Sequence, residues 1–238
     1  MDFKEKTNLI VRDLHDSVFQ KISRYESSIF LIGSSLKKKG KKGSNLREKL
    51  HKALSKRRFF FGFDVYYPEL IFDELLQGKV KFDLLTLENM LAESVQAVVI
   101  ILESPGAIAE LGAFANNVKF SQKLIVIVDI KYKRAKSFIK LGLIEYLKKN
   151  TNSRIIYHDL DDPKIDRLTD QIGRDFSQVI SKVNVDDTLA NPIALQYFFM
   201  AVLFIFGPLT KSGLDDIYQL DPLIKSKSFH TQTMKLLS

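Results

Sequence analysis

Residues 98–117, VVIILESPGAIAELGAFANN, place two glutamates, Glu103 and Glu110, seven positions apart on either side of a Ser-Pro-Gly turn. Glu103 leaves the end of the chain's most apolar run. Glu110 falls in the opening turns of the helix that Pro105 is suited to start. A carboxylate in that position can attack the anomeric carbon of a ribose, or stabilise its oxocarbenium-like form while a base departs. The free N–H groups of the turn around Pro105 and Gly106 can hold a phosphate or a ribose hydroxyl. Plainer roles compete. A first-turn glutamate gains about 0.3–1 kcal/mol from the helix dipole alone, and a carboxylate at a strand end such as Glu103 can simply shape the rim.

Helical spacing decides where these side chains point. At about 100° per residue, Ile108, Leu111, Phe114, Ala115 and Val118 form an arc that faces a sheet, while Gly106, Glu110, Ala113 and Asn117 form a narrow second face. In the preceding segment, LLTLENMLAESV, the buried arc is Leu84, Leu87, Met90, Leu91, Ser94 and Val95. Glu88 falls at its edge, where a carboxylate needs a partner. Asn89 lies on the flank beside Leu85.

The elements that must position these residues follow from alternating apolar runs and amphipathic stretches. SSIFLIGSS, the run ending at Pro68, AVVIIL, KLIVIVD and RIIYHDL read as five strands. Helices are expected at 9–22, 45–56 with Ser44 as N-cap, around 69–77, at 84–94, 105–118 and 135–149, and at 162–182. Strands that are apolar throughout and alternate with helices define an α/β class, a Rossmann- or flavodoxin-like parallel sheet covered on both faces. Ligands of such sheets sit beyond the carboxyl ends of the strands. That singles out residues 33–44, 66–69, 103–110 and 129–133.

Composition narrows the chemistry. The 238 residues contain no cysteine and only four scattered histidines, so no disulfide, cysteine nucleophile or metal site is expected. The loop at 33–44 lacks a GxGxxG or P-loop pattern, which argues against dehydrogenase and P-loop chemistry. Its run at 37–42, KKKGKK, is either a phosphate-attracting loop or a solvated one. The charged N-terminus does not resemble a signal peptide, and a cytoplasmic location is expected. The α/β part is expected over 1–185 and a helical, helix-turn-helix-like region over 186–238. Within the latter, 192–209 is at the lower length limit for a bilayer span. Gln196 inside the run and the lack of flanking basic clusters favour a buried helix.

The blocks DVYYPELIFDELL, LLTLENMLAESV and ESPGAIAELGAFANN, with KYKRAKSFI after the fourth strand, resemble the nucleoside deoxyribosyltransferase-like effectors of bacterial retrons. The resemblance implies an antiphage toxin associated with a reverse transcriptase and its multicopy single-stranded DNA and non-coding RNA, in an oligomeric assembly. It also implies cleavage of an N-glycosidic bond, with NAD as the expected substrate and no resident cofactor. The catalytic glutamate of the family's ELGAF block falls on Glu110. On that reading Glu88 and Asn89 orient the ribose or the attacking water, and Tyr67 stacks on the base. Gly33, Ser34, Ser35 and Gly106 bind phosphate, and Glu103 and Ser104 complete the substrate-binding set. Transfer of the glycosyl group to another base, or a non-catalytic role in holding nucleic acid or the reverse transcriptase, stays open at this point.

Overall fold

The computed structural model describes residues 3–14, 27–35, 45–56, 63–67, 83–181 and 192–219. The expected helix around 69–77 and the lysine run at 37–42 lie outside these residues. The chain divides into two compact units, one from residues 27–74 and 83–184, the other from 1–26, 75–82 and 185–238.

In the larger unit the elements are β1 (Ser28–Ile32), α2 (Leu46–Lys56), β2 (Asp64–Tyr66), α3 (Leu84–Ser94), β3 (Ala97–Ile101), α4 (Pro105–Ala115), β4 (Leu124–Asp129), a π-helix (Ile139–Ile144) leading into α5 (Glu145–Asn150), β5 (Arg154–His158) and α6 (Asp166–Ile180); α1 (Phe3–Asp13), α7 (Pro192–Phe206) and α8 (Lys211–Gln219) belong to the smaller unit. The strands form a five-stranded parallel sheet in the order β2-β1-β3-β4-β5, which is the α/β, Rossmann-like class read from the apolar runs. The central strands β1, β3 and β4 are buried at every position, because helices cover both faces and leave no polar side to alternate with.

On one face Ile29, Leu31, Val99, Ile101, Ile125 and Ile127 meet Leu46, Leu50 and Leu54 of α2 and Leu168, Ile172, Phe176 and Val179 of α6. The opposite face is covered by α4, where the Phe30 and Phe114 rings pack edge-on at 6.3 Å. Right-handed crossovers put α3 on this same face, since β2 to β3 and β3 to β4 step in one direction along the sheet. The chain turns back between β1 and β3, which makes that junction the switch point where the strand ends part into a crevice.

Several helices differ from the spacing-based reading: α1 begins at Phe3 instead of residue 9, and in α3 Leu84 is 50% exposed while Glu88 and Ala92 are buried. The buried arc of α4 is Ala107, Leu111, Phe114 and Ala115, so Ile108 sits on a flank instead of at the centre. Val118 is 79% exposed because the helix stops at Ala115, before Val118 can continue the stripe. The segment expected as one helix over 135–149 begins as a π-helix, in which the Phe138 ring lies over Gly142; a Cβ at Gly142 would meet that ring at 3.0 Å.

In the smaller unit Val11 and Leu14 pack with Phe198, Phe199, Val202 and Ile217. The N-terminal helix thus supplies apolar cover for the C-terminal helices. Helix α7 ends at Gly207, whose φ of 78° suits a left-handed cap and whose N–H donates to the Leu203 carbonyl at 3.0 Å. Among the described residues no helix is long and apolar enough to cross a membrane.

At the end of the sheet away from the crevice, Lys123 is buried. Its ammonium donates to the carbonyls of Glu93 (3.1 Å) and Val95 (2.6 Å) at the C-terminus of α3. Burial pulls its pKa down to about 8 from 10.5, with the Glu93 charge opposing and the Lys119 charge adding to the fall. The folded chain therefore releases this proton near pH 8, while the unfolded chain keeps it to about 10.5. Between those values the unfolded state binds more protons, so stability rises with pH. Urea unfolding of the wild type should strengthen relative to Lys123→Met across this window, by on the order of 3 kcal/mol. Parallel stability curves for the two chains would contradict the buried, depressed ammonium.

Candidate functional site

The end of β1 is built around a buried arginine. Arg47 lies on the same helical stripe as Leu50 and Leu54, and is 1% exposed. Its Nε and Nη2 donate to the Leu31 carbonyl at 3.1 and 2.8 Å, and its Nη1 donates to the Ser34 carbonyl at 3.2 Å. These carbonyls emerge where the chain leaves β1, and the planar fork satisfies them where water does not reach. The guanidinium carbon also sits 4.6 Å from the centre of the Tyr67 ring.

Glu103 closes the turn at 33–35 from the β3 side. Both the N–H and the hydroxyl of Ser34 donate to Glu103 Oε1, at 3.0 and 2.9 Å. Gly33 is pinched between the two charged groups: a Cβ there would meet Glu103 Oε1 at 2.9 Å and Arg47 Cδ at 3.3 Å. Asn45 caps α2; the expected cap, Ser44, lies outside the described residues. Asn45 Oδ1 accepts from Glu48 N at 2.9 Å, while its Nδ2 donates to Ser34 Oγ and to the Ser35 carbonyl, both at 3.1 Å. Gly33, Ser34, Ser35 and Glu103 are thus brought together at the switch point, with Glu103 as the bond that spans it.

Helix α4 opens beside this junction. Ser104 is its N-cap, accepting from Ala107 N at 3.2 Å, and Pro105 occupies the first turn. Gly106 is exposed, with open space around the position of a Cβ except for Ser104 Oγ at 3.9 Å. Ile108 and Glu110, two residues apart, leave the helix about 200° from each other and so flank the buried arc on opposite sides. Helix α3 runs parallel to α4 on the same face of the sheet, so its flank carrying Glu88 and Ala92 is turned towards the flank of α4 carrying Glu110. Glu88 is 7% exposed and Glu110 half-buried, and both have interaction partners. Asn89 is half-buried, further round the α3 helix than Glu88. Glu93 is on the outer side and pairs with Lys119 at 2.7 Å.

On the Ile108 flank lies a cavity of about 860 Å³, within the range that accommodates a small-molecule ligand. Glu103, Ser104, Asp129, Lys131, Ser137 and Lys140 provide its polar groups, over a floor that includes Leu102, Val128 and Ile144. Burial pushes the Asp129 carboxyl up, but hydrogen bonds from the Lys131 ammonium and backbone N–H, and the Lys131 charge, outweigh it and leave the pKa below the ordinary value. Lys131 Nζ sits 2.6 Å from Asp129 Oδ2, and Lys140 pairs with Glu145. Glu110, Glu88 and Asn89 do not line this cavity.

Tyr67 is placed differently from the sequence expectation. It is 5% exposed, with the Arg47 guanidinium over its ring and the His51 ring centre 4.7 Å away. Burial, followed by the Arg47 and Lys52 charges, pulls the His51 pKa below its ordinary value, so the stack is a cation over two neutral rings. The ring is committed to packing beneath Arg47 rather than offered to a base. Among the described residues, no group of three or more His, Asp or Glu side chains is placed to hold a metal ion.

Sequence reasoning missed Arg47, Asn45 and Lys140. For Arg47 a signal was present, a charged residue at the i, i+3, i+7 positions shared with Leu50 and Leu54.

A five-stranded parallel sheet with Glu103 bonded across its switch point defines a Rossmann-like α/β protein with a cavity at the strand ends. The family model of the STM3845 retron effector protein matches residues 43–238, and the chain belongs to this family of retron effectors. It is 30% identical over 224 residues to the "Retron Ec86 putative ribosyltransferase/DNA-binding protein" of Escherichia coli, a match covering 90% of this chain and 71% of that relative. It is 26% identical over 172 residues to the "Retron Ec73 putative ribosyltransferase/DNA-binding protein" of Escherichia coli, covering 64% of this chain and 54% of the relative.

The Arg47 fork makes a specific stability demand. Arg47→Leu should cost at least about 2 kcal/mol in chemical denaturation, because two buried carbonyls lose a charged donor. Arg47→Lys should recover only part of it, since an ammonium cannot reproduce the planar fork. Full stability in the Lys variant would show that charge alone, without the fork, holds the β1 end.

Proposed function

We propose that the chain cleaves the N-glycosidic bond of a nucleotide, with Glu110 acting at the ribose anomeric carbon. What supports this reading is a buried Glu88 on α3 and a half-buried Glu110 on α4, on the flanks that helical spacing and right-handed crossovers turn towards each other. NAD is the substrate of choice for a first assay, because its nicotinamide leaves as a neutral base. Attack of the Glu110 carboxylate on C1′ forms an ester bond, and the departing nicotinamide takes the electron pair of the C–N bond. Water then attacks C1′, loses its proton to a neighbouring base and releases Glu110, giving ADP-ribose. Glu88 and Asn89 orient the ribose or that water. Ser35 and Gly106 offer donors to phosphate, whereas both donors of Ser34 are engaged by Glu103, and the neighbouring cavity beyond Glu103 and Ser104 has room for the remainder of a dinucleotide.

A second reading is transfer, in which another base intercepts the glycosyl-enzyme instead of water. It is favoured by the word ribosyltransferase in the names of both relatives. In either case the chain would act as the toxic arm of a retron antiphage system, alongside a reverse transcriptase and its multicopy single-stranded DNA, and family membership supports that setting.

Incubation of the purified protein with NAD should release nicotinamide. Glu110→Gln, which keeps the shape but removes the charge, should lower the rate at least about 10²-fold. Full activity in that variant would sink the assignment of Glu110. Base exchange between deoxynucleosides, with no product from NAD, would move the reaction to transfer.

A further inference from the structure

A strip of surface outside the carboxylate groove combines positive charge with exposed rings. Between residues 131 and 149 the chain carries seven Lys or Arg residues and a single acid, Glu145, a net of +6 in a chain whose total is +8. Lys131, Lys133, Arg134, Lys136, Lys148 and Lys149 are all exposed. Their placement is not that of a diffuse solvated run. Lys133 and Lys148 come from opposite ends of the segment, yet both lie over the Tyr157 ring, at 5.6 and 5.1 Å from its centre. Tyr157 on β5 therefore gathers the loop after β4 and the last turn of α5 into one electropositive surface.

The same segment carries exposed aromatic side chains. Tyr132 and Tyr146 are exposed, and Phe138 is 77% exposed. Phe138 is also held in a set position, because its ring rests on Gly142, where a Cβ would meet it at 3.0 Å. A large apolar ring kept out in water at the mouth of a basic strip, on a π-helix, lacks a packing explanation within the described residues.

We infer that the strip over residues 131–149 is a binding surface for single-stranded nucleic acid. The cations follow the phosphates, and Phe138, Tyr132 and Tyr146 provide faces on which unpaired bases stack. A duplex keeps its bases stacked on one another and can use only the cations. The strip shares no residues with the run at 37–42 or with the C-terminal helices, the two places where the sequence alone suggested nucleic-acid contact. It does not depend on the reading of Glu110 as catalytic.

Fluorescence anisotropy of a labelled oligothymidylate, titrated with the full chain over a range of salt, tests this. Binding should weaken linearly in log–log form with salt. The triple variant Lys133→Gln, Arg134→Gln, Lys148→Gln should bind at least about tenfold more weakly and flatten the slope by about 2, the share of three phosphate contacts on a single strand. Phe138→Ala should weaken single-strand binding about tenfold with little change in slope, and leave duplex binding nearly unaltered. All four positions are exposed, and circular dichroism of each variant confirms that it is folded. Unchanged affinity in the triple variant, or loss only on substituting residues 37–42, would overturn the assignment. Equal binding of duplex and single strand, insensitive to Phe138→Ala, would overturn the single-strand reading.

Discussion

The buried guanidinium of Arg47 is the interaction on which the arrangement at the strand ends depends. A parallel strand that stops inside the protein leaves carbonyls pointing beyond the sheet, and those of Leu31 and Ser34 have a charged fork as their partner. The fork holds the chain leaving β1 close to α2. Glu103 then reaches the same turn from β3, bonding Ser34 twice, and a side chain at Gly33 would have to displace the Glu103 carboxylate, which a Cβ would meet at 2.9 Å. Asn45 completes the junction by capping α2 with one end of its amide and holding the turn with the other.

That junction explains why the two glutamates flanking the Ser-Pro-Gly turn have different work. Glu103 has its carboxylate engaged across the switch point, on the boundary of the larger cavity. Glu110 is carried by α4 to the other flank of the helix, towards α3. The start of α4 therefore has different surroundings on its two flanks: Glu110 on the side towards α3, and on the other a hollow whose Asp129 carboxylate is kept ionised by Lys131. The basic, ring-bearing strip borders the hollow through Lys131 and Tyr132, which belong to both.

Much of the fold was legible because its signals are local. Uninterrupted apolar runs such as AVVII and LIVIVD can only be strands covered on both faces, and the pattern of strands and helices along the chain fixed the parallel α/β class. Cap residues gave helix starts to within a position or so: Ser104 and Pro105 open α4, whereas α2 is capped by Asn45, one residue beyond the expected Ser44. The reading failed where packing outweighs spacing. Val118 has the right angular position for the buried arc of α4 but lies past the end of the helix, and Ile108 is turned out to a cavity wall. Tyr67 has the composition of a base-stacking residue, yet Arg47 covers it.

The sequence by itself determined the class of fold, since that depends on residue type and near-neighbour spacing. The tertiary structure decided which side chains share a space. Glu103 meets Ser34 across 69 positions of chain, and Lys133 meets Lys148 only through Tyr157 on another strand. No local pattern encodes such meetings, because they follow from the order in which strands pair and from which flank of a helix the sheet leaves uncovered. Arg47 shows the same division: its place on an apolar stripe was written in the sequence, but the carbonyls that make burying its charge tolerable exist only once β1 ends beside α2.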